Sequence, residues 1–219
     1  MGIVLPILNL LSMVGIGLLI LFVLRLLPKL SQPEALAVAI PLGFGLNGWL
    51  VFMLGLSGHL VREAFMVTIA IGILALLCLF KHVNINIKAN LGPVGYLLII
   101  LISYVCFLDF LEALVPPGDA DTLAYHFSIP QLISKTGQII FTPRVVDGAV
   151  PILVQMTYVP MFLLGGELAV TMWVFLTGWC LMFTLFVFSR RYLPINLSLL
   201  LVLIFCTTPI IIGAAGSGQ

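Results

Sequence analysis

Between Leu114 and Pro130 the chain gathers two carboxylates, Asp119 and Asp121, a phenol, Tyr125, and an imidazole, His126. Carboxylates separated by one residue in an extended segment point to the same side, because side chains there alternate with a period of two. Pro116, Pro117 and Gly118 stop a preceding helix and favour such an extended turn. Two close carboxylates perturb each other's ionisation, so one can serve as a proton acceptor, or both can gather a divalent cation. Asp121 also suits plainer work, since it stands where it would N-cap a helix beginning at Thr122. That helix would set Tyr125 one turn above Asp121, and Pro130 would kink or end it. His126 gains weight only from standing with the two carboxylates. Farther along, Lys135 and Arg144 could clamp an anionic oxygen, Lys as a point charge and Arg as a planar fork. Together with Asp147 they suit a solvated loop equally well. Asp109 and Glu112, three residues apart, share a helix face close to where that helix should leave the membrane.

The elements that must position these groups are membrane helices. Of 219 residues, 62% are apolar and 8% charged, against about a quarter charged in soluble domains. Too few charges are present to cover a water-facing surface. A net charge of +1 without clustered Lys and Arg excludes a surface built for nucleic acid. Cys78, Cys106, Cys180 and Cys206 lie singly in apolar runs and read as small buried hydrophobes.

A bilayer core about 30 Å thick takes about 20 apolar residues of helix. Six stretches qualify, at 3–27, 35–57, 64–80, 93–115, 168–188 and 195–213, bounded by charge, Pro, Gly or Asn. The expected fold is therefore all-α, a polytopic bundle of about six spans with short interfacial helices on one long loop, 116–167. The first stretch lacks a preceding basic residue and exceeds the core of a cleavable signal, so it is expected to be retained. Basic pairs at Arg25 and Lys29, Lys81 and Lys88, and Arg190 and Arg191 place three connections on the cytoplasmic side. The N-terminus and the loop 116–167 then lie on the outer face of the inner membrane. This orientation requires that 150–166 not cross. Its shortness, Pro160 and the Gly165-Gly166 ending suit a helix lying at the membrane surface.

At this loop the sequence resembles the membrane-embedded GT-C glycosyltransferases, specifically the RgtA/B/C/D-like and protein-mannosyltransferase-like group. The resemblance is carried by Pro116-Pro117, by Asp121 with Tyr125 and His126, and by Pro130-Gln131-Leu132 leading to Gly137. Pro151, Gln155 and Tyr158 continue it, followed by Gly165-Gly166-Glu167 and the Arg190-Arg191 helix ending. It covers about 90–215, making 1–92 three extra helices and 93–219 the start of the shared module: helix 93–115, a catalytic loop, then helices 168–188 and 195–213.

The resemblance implies inverting transfer of a sugar from a polyprenyl-phosphate donor to a lipid, protein or polysaccharide acceptor. Asp121 matches the catalytic Asp, and Asp119 would assist it or help hold a divalent cation if one is used. Tyr125, His126, Lys135, Arg144 and Gln155 are the implied substrate-binding residues. Thr122 stands where members with a paired Asp-Glu carry Glu, so a second carboxylate must come from Asp119 or elsewhere. Members also continue through further helices, which implies that these residues hold only part of the donor cavity.

Asp119 and Asp121 also spell the Asp-x-Asp of nucleotide-sugar transferases, but those need an αβ nucleotide domain for which the helices leave no room. From another class, an ion-coupled carrier would use Asp109, Glu112, Asp119 and Asp121 as a cation path. Carriers place such groups near the midplane, whereas these are expected at or beyond the outer boundary. An inactive fragment or assembly subunit is the third reading.

Overall fold

The computed structural model describes residues 2–80, 91–118, 120–140, 153–209 and 211. Those residues are helical and turn in character, with no strand among them. In hydrocarbon every backbone N–H and C=O must be satisfied within its own segment, which the helix alone does for an isolated apolar run. Five helices are long and apolar enough to cross a membrane: α1 (Val4–Val23), α2 (Gln32–Leu56), α3 (Arg62–Leu79), α4 (Pro93–Ala113) and α8 (Glu167–Ser189). Between α4 and α8 lie α5 (Ser128–Thr136), α6 (Leu153–Met156) and α7 (Tyr158–Gly165), and α9 (Ile195–Cys206) follows α8. The chain is an all-α, multi-pass membrane bundle.

Of the sixth expected span, 195–213, α9 forms the first part, Pro209 and Ile211 are again helical, and 210, 212 and 213 lie outside the described residues. α9 has 12 residues, about 18 Å of rise, and stops where the Thr207 and Thr208 hydroxyls turn back onto Leu203 O and Ile204 O ahead of Pro209.

α1 is the most enclosed of the five long helices and α4 the least. Lipid offers no hydrophobic drive between helices, so close packing must supply the attraction, and small residues permit it. A Cβ added at Gly17 would collide with the Ala39 carbonyl, one at Gly43 with the Met13 carbonyl, and one at Gly15 with the Gly72 carbonyl. α1 thus meets α2 and α3 backbone to backbone. Pro41 inside α2 has no N–H for the Ala37 carbonyl, and the Thr184 hydroxyl of α8 reaches that oxygen at 3.5 Å while donating to Cys180 O at 2.9 Å. α4, α8 and α9 form a second apolar contact around Met172, Phe175, Met182 and Val202.

The two ends of the bundle differ. At one end Leu5 packs under Gly165, the Leu60 N–H donates to Gly137 O at 3.2 Å and the Ile139 N–H to Gly55 O at 2.9 Å. The loop elements α5 to α7 therefore sit over the start of α1 and the α2–α3 turn. At the other end Arg191 reaches Glu34 at 3.5 Å, close to Arg190 and to the start of α2, where Glu34 accepts from the Ser31 N–H and hydroxyl at 2.9 and 2.7 Å.

Candidate functional site

The segment after α4 is built around prolines. Pro116 and Pro117 cannot continue the helix, and the chain turns there before re-entering helical geometry at Ala120. Asp121 is itself helical (φ −73°, ψ −42°), exposed, and its side chain makes no cap bond, so the N-cap expected of it is absent. An extended placement is excluded for Asp121 by the same dihedrals. Asp119, and with it the proposed carboxylate pair, lies outside the described residues, as do Arg144 and Asp147.

Thr122–His126 form a π-helical turn, closed by the Phe127 N–H on Thr122 O at 2.9 Å. A reason for the widened turn is Pro130. In an uninterrupted α-helix its ring would clash with the carbonyl four residues back. The extra residue resets the register so that Pro130 falls in the first turn of α5, where no N–H is required. The helix that starts at Thr122 thus ends ahead of Pro130, as the sequence leads one to expect, and Pro130 is accommodated in the first turn of the next helix. Gly137, left-handed at φ 72°, closes α5 instead.

The segment expected to lie at the membrane surface is a broken helix roofed by protein. Residues 155–161, from Gln155 to Met161, are all buried, with Met156 and Val159 against Val51 of α2 and Ile133 of α5, and Met161 against Trp173 of α8. The break is at Thr157, whose hydroxyl donates back to Val154 O at 2.7 Å and accepts the indole N–H of Trp173 at 3.0 Å. Pro160 again falls in a first turn, that of α7. Gly166, at φ 77°, turns the chain into α8. The partners of this segment on α2, α5 and α8 are not disclosed by any pattern within it. Burial pushes the Tyr158 phenol in α7 from its ordinary value up to about 12.

These two proline-reset segments pack through Phe127 on Tyr158 and Phe162, and are joined by a side-chain hydrogen bond: Gln155 Nε2 lies 2.7 Å from His126 Nδ1. Since the amide nitrogen can only donate, Nδ1 is the acceptor, and the ring carries its proton on Nε2. Among the described residues the buried Oε1 of Gln155 has no partner. The Tyr125 ring lies against that of His126, tilted by 46° with centroids 4.2 Å apart. Lys135 is exposed in the last turn of α5, about 10 Å of helix rise from Ser128, so the structure does not bring it to the His126–Gln155 pair. Among the described residues no three His, Cys, Asp or Glu side chains converge as a metal site.

Beside this end, a cavity of about 220 Å³ opens between the end of α4 and the start of α8, lined by Leu114, Val115, Pro116, Glu167, Leu168 and Thr171. The Thr171 hydroxyl donates to Ala113 O at 2.6 Å and fixes the two helices there.

Asp109 lies one turn before the end of α4 at Ala113. It is buried, and its Oδ2 accepts from the indole N–H of Trp179 at 3.1 Å. Antiparallel register pairs Ala113 with Thr171, and Phe110 meets Phe175 edge-on. Trp179 reaches Asp109 because helical side chains lean toward the N-terminus of their own helix. Glu112 is exposed. Sequence reasoning missed Thr157, Trp173 and Trp179. The signal available was the indole N–H itself, which needs an acceptor wherever Trp is buried in an apolar helix.

No family model, curated protein or solved structure matches the chain.

Proposed function

We propose that the chain works as an inverting sugar transferase of the GT-C type, using a polyprenyl-phosphate donor, with its loop end on the outer face of the inner membrane. The observation that supports this most is the meeting of His126 and Gln155, 29 positions apart, within one turn of helix or so from an exposed carboxylate, Asp121. The lipid-facing bundle beneath would keep an isoprenoid donor in the bilayer, and the three basic connections favour this orientation.

In this reading Asp121 accepts the proton of the acceptor hydroxyl as its oxygen bonds to the anomeric carbon. The bond from that carbon to the lipid phosphate oxygen breaks with inversion. His126 Nε2–H donates to the departing phosphate oxygen, and Gln155 holds the ring for that task. Lys135 acts at the rim, attracting the anionic donor rather than touching the reacting atoms. No step is drawn through a divalent cation.

The test is transfer of labelled sugar from a polyprenyl-phosphate pool in membranes holding the chain, beside Asp121→Asn. Transfer by the unaltered chain that falls at least about a hundredfold in Asp121→Asn supports the assignment. Undiminished transfer by the variant removes Asp121 from the chemistry, and no transfer by either turns the choice to the second reading.

That second reading, an ion-coupled carrier, is favoured by the buried placement of Asp109 against Trp179. Intramembrane carboxylates line ion paths. Uptake or exchange of a cation in proteoliposomes, lost in Asp109→Asn, would decide for it.

A further inference from the structure

The tight seam between α1 and α2 predicts a facing pair that no hydrogen bond satisfies. Gly17 meets Ala39 and Met13 meets Gly43, backbone against backbone. Each step of four residues along α1 matches a step of four in the opposite direction along α2, so the next pair on the same two rows is Asn9 with Asn47. Both residues are 4% exposed, and among the described residues the Nδ2 of each is buried without a partner. Around them the seam is apolar, with Met13, Leu10 and Phe44 packed in one cluster with Trp173. The pair lies about 8 Å inside the start of α1, below the α6–α7 roof, where Leu153 O approaches Gly48 of α2.

Buried carboxamide donors in an apolar setting are costly unless an oxygen accepts from them. No charged group stands on either row at this level, so an anion is not the matching ligand. A neutral oxygen that accepts two N–H bonds and can donate in return is. We propose that Asn9 and Asn47 together form a water-binding site inside the bundle, reached from the loop end, which makes the α1–α2 seam hydrated below the membrane boundary. The site is independent of any transferase activity. It gives the loop end a polar floor, and ties α1 to α2 through exchangeable water rather than through a direct side-chain bond.

The first test uses the full chain in liposomes with Cys78, Cys106, Cys180 and Cys206 replaced by alanine. Asn9→Cys and Asn47→Cys are expected to react with a small charged thiosulfonate at least about tenfold faster than Val51→Cys. Val51 is the next residue on the same row, fully buried and one turn nearer the loop end. Reaction governed by depth alone would therefore favour Val51→Cys. That order, equal rates, or no reaction at positions 9 and 47 overturns the proposal.

A second measurement leaves both amides intact. Radiolytic hydroxyl footprinting marks side chains beside bound water. Met13, one turn from Asn9 and 1% exposed, is expected to oxidise at least about fivefold faster than Met182, 4% exposed in the α8–α9 contact. Equal oxidation means that the two carboxamides close on each other, with one of them turned, and the site does not exist.

Discussion

Gln155 carries more of the site than its neutral side chain suggests. Its amide reaches His126 Nδ1 from another loop segment, so Gln155→Leu leaves that ring nitrogen without its donor, at a cost of about 1–2 kcal/mol for a partly buried pair. In a transfer assay the expected result is a fall of about tenfold in kcat with little change in KM, since the ring loses its fixed tautomer. His126→Ala should fall at least as far, and the double variant no farther than His126→Ala alone. Additive losses would show that the two residues act separately. Tyr158 makes a second expectation at this scale. Burial holds its phenol neutral, so the folded state binds that proton more tightly than the unfolded chain does. Its contribution to stability is complete below pH 10, and is lost as pH rises from there to about 12. A spectroscopic pH titration should show phenolate absorbance near pH 12 that disappears in Tyr158→Phe. An unchanged titration would place the ring in contact with solvent.

Among the elements, the α1–α2 contact depends on having no side chain at two positions. Gly43→Leu must push α2 away from the Met13 carbonyl, whereas a Cβ at Gly45 on the same helix would meet nothing within 4 Å. The expected outcome is a Gly43→Leu protein that unfolds or aggregates in detergent at a temperature well below the original, with Gly45→Leu unchanged within about 0.5 kcal/mol. Size-exclusion profiles after heating would measure it, and equal behaviour of the two variants would mean that α1 and α2 do not approach as described. The loop elements show how local sequence is overruled. Asp121 has the position of an N-cap, yet the chain is already helical there, because the π turn and Pro130 move the new start to Ser128. In the segment 153–166, Trp173 and Val51 pack against the central residues, a contact that local sequence does not disclose.

For the whole molecule, the alternation of five long helices places the loop elements at the end where α1 begins, and Arg25, Lys29, Arg190 and Arg191 at the opposite end. If basic residues are retained on the cytoplasmic side, Ser134→Cys should be labelled by an impermeant thiol reagent from outside intact cells, and Tyr192→Cys only after the membrane is opened. The reverse pattern would put the His126–Gln155 site in the cytoplasm and end the outer-face reading. The Arg191–Glu34 contact at 3.5 Å joins α8 to α2 at the basic end, but Arg191 is exposed there and the pair adds little to stability.

The amino-acid sequence by itself determined the class of the fold and most helix positions. Long apolar runs in lipid have one way to satisfy their backbone, and Pro, Gly and charge mark where each run stops. It also singled out Asp121, Tyr125 and His126 as residues of interest by type and spacing, and Gln155 by resemblance alone. Only the tertiary structure decided which polar groups meet. Gln155 with His126, Trp173 with Thr157 and Trp179 with Asp109 are partners through helix register and rotation, and these are set by the packing of side chains distant in the chain. A buried polar group must find its partner among whatever that packing brings within about 3 Å, which local sequence does not encode.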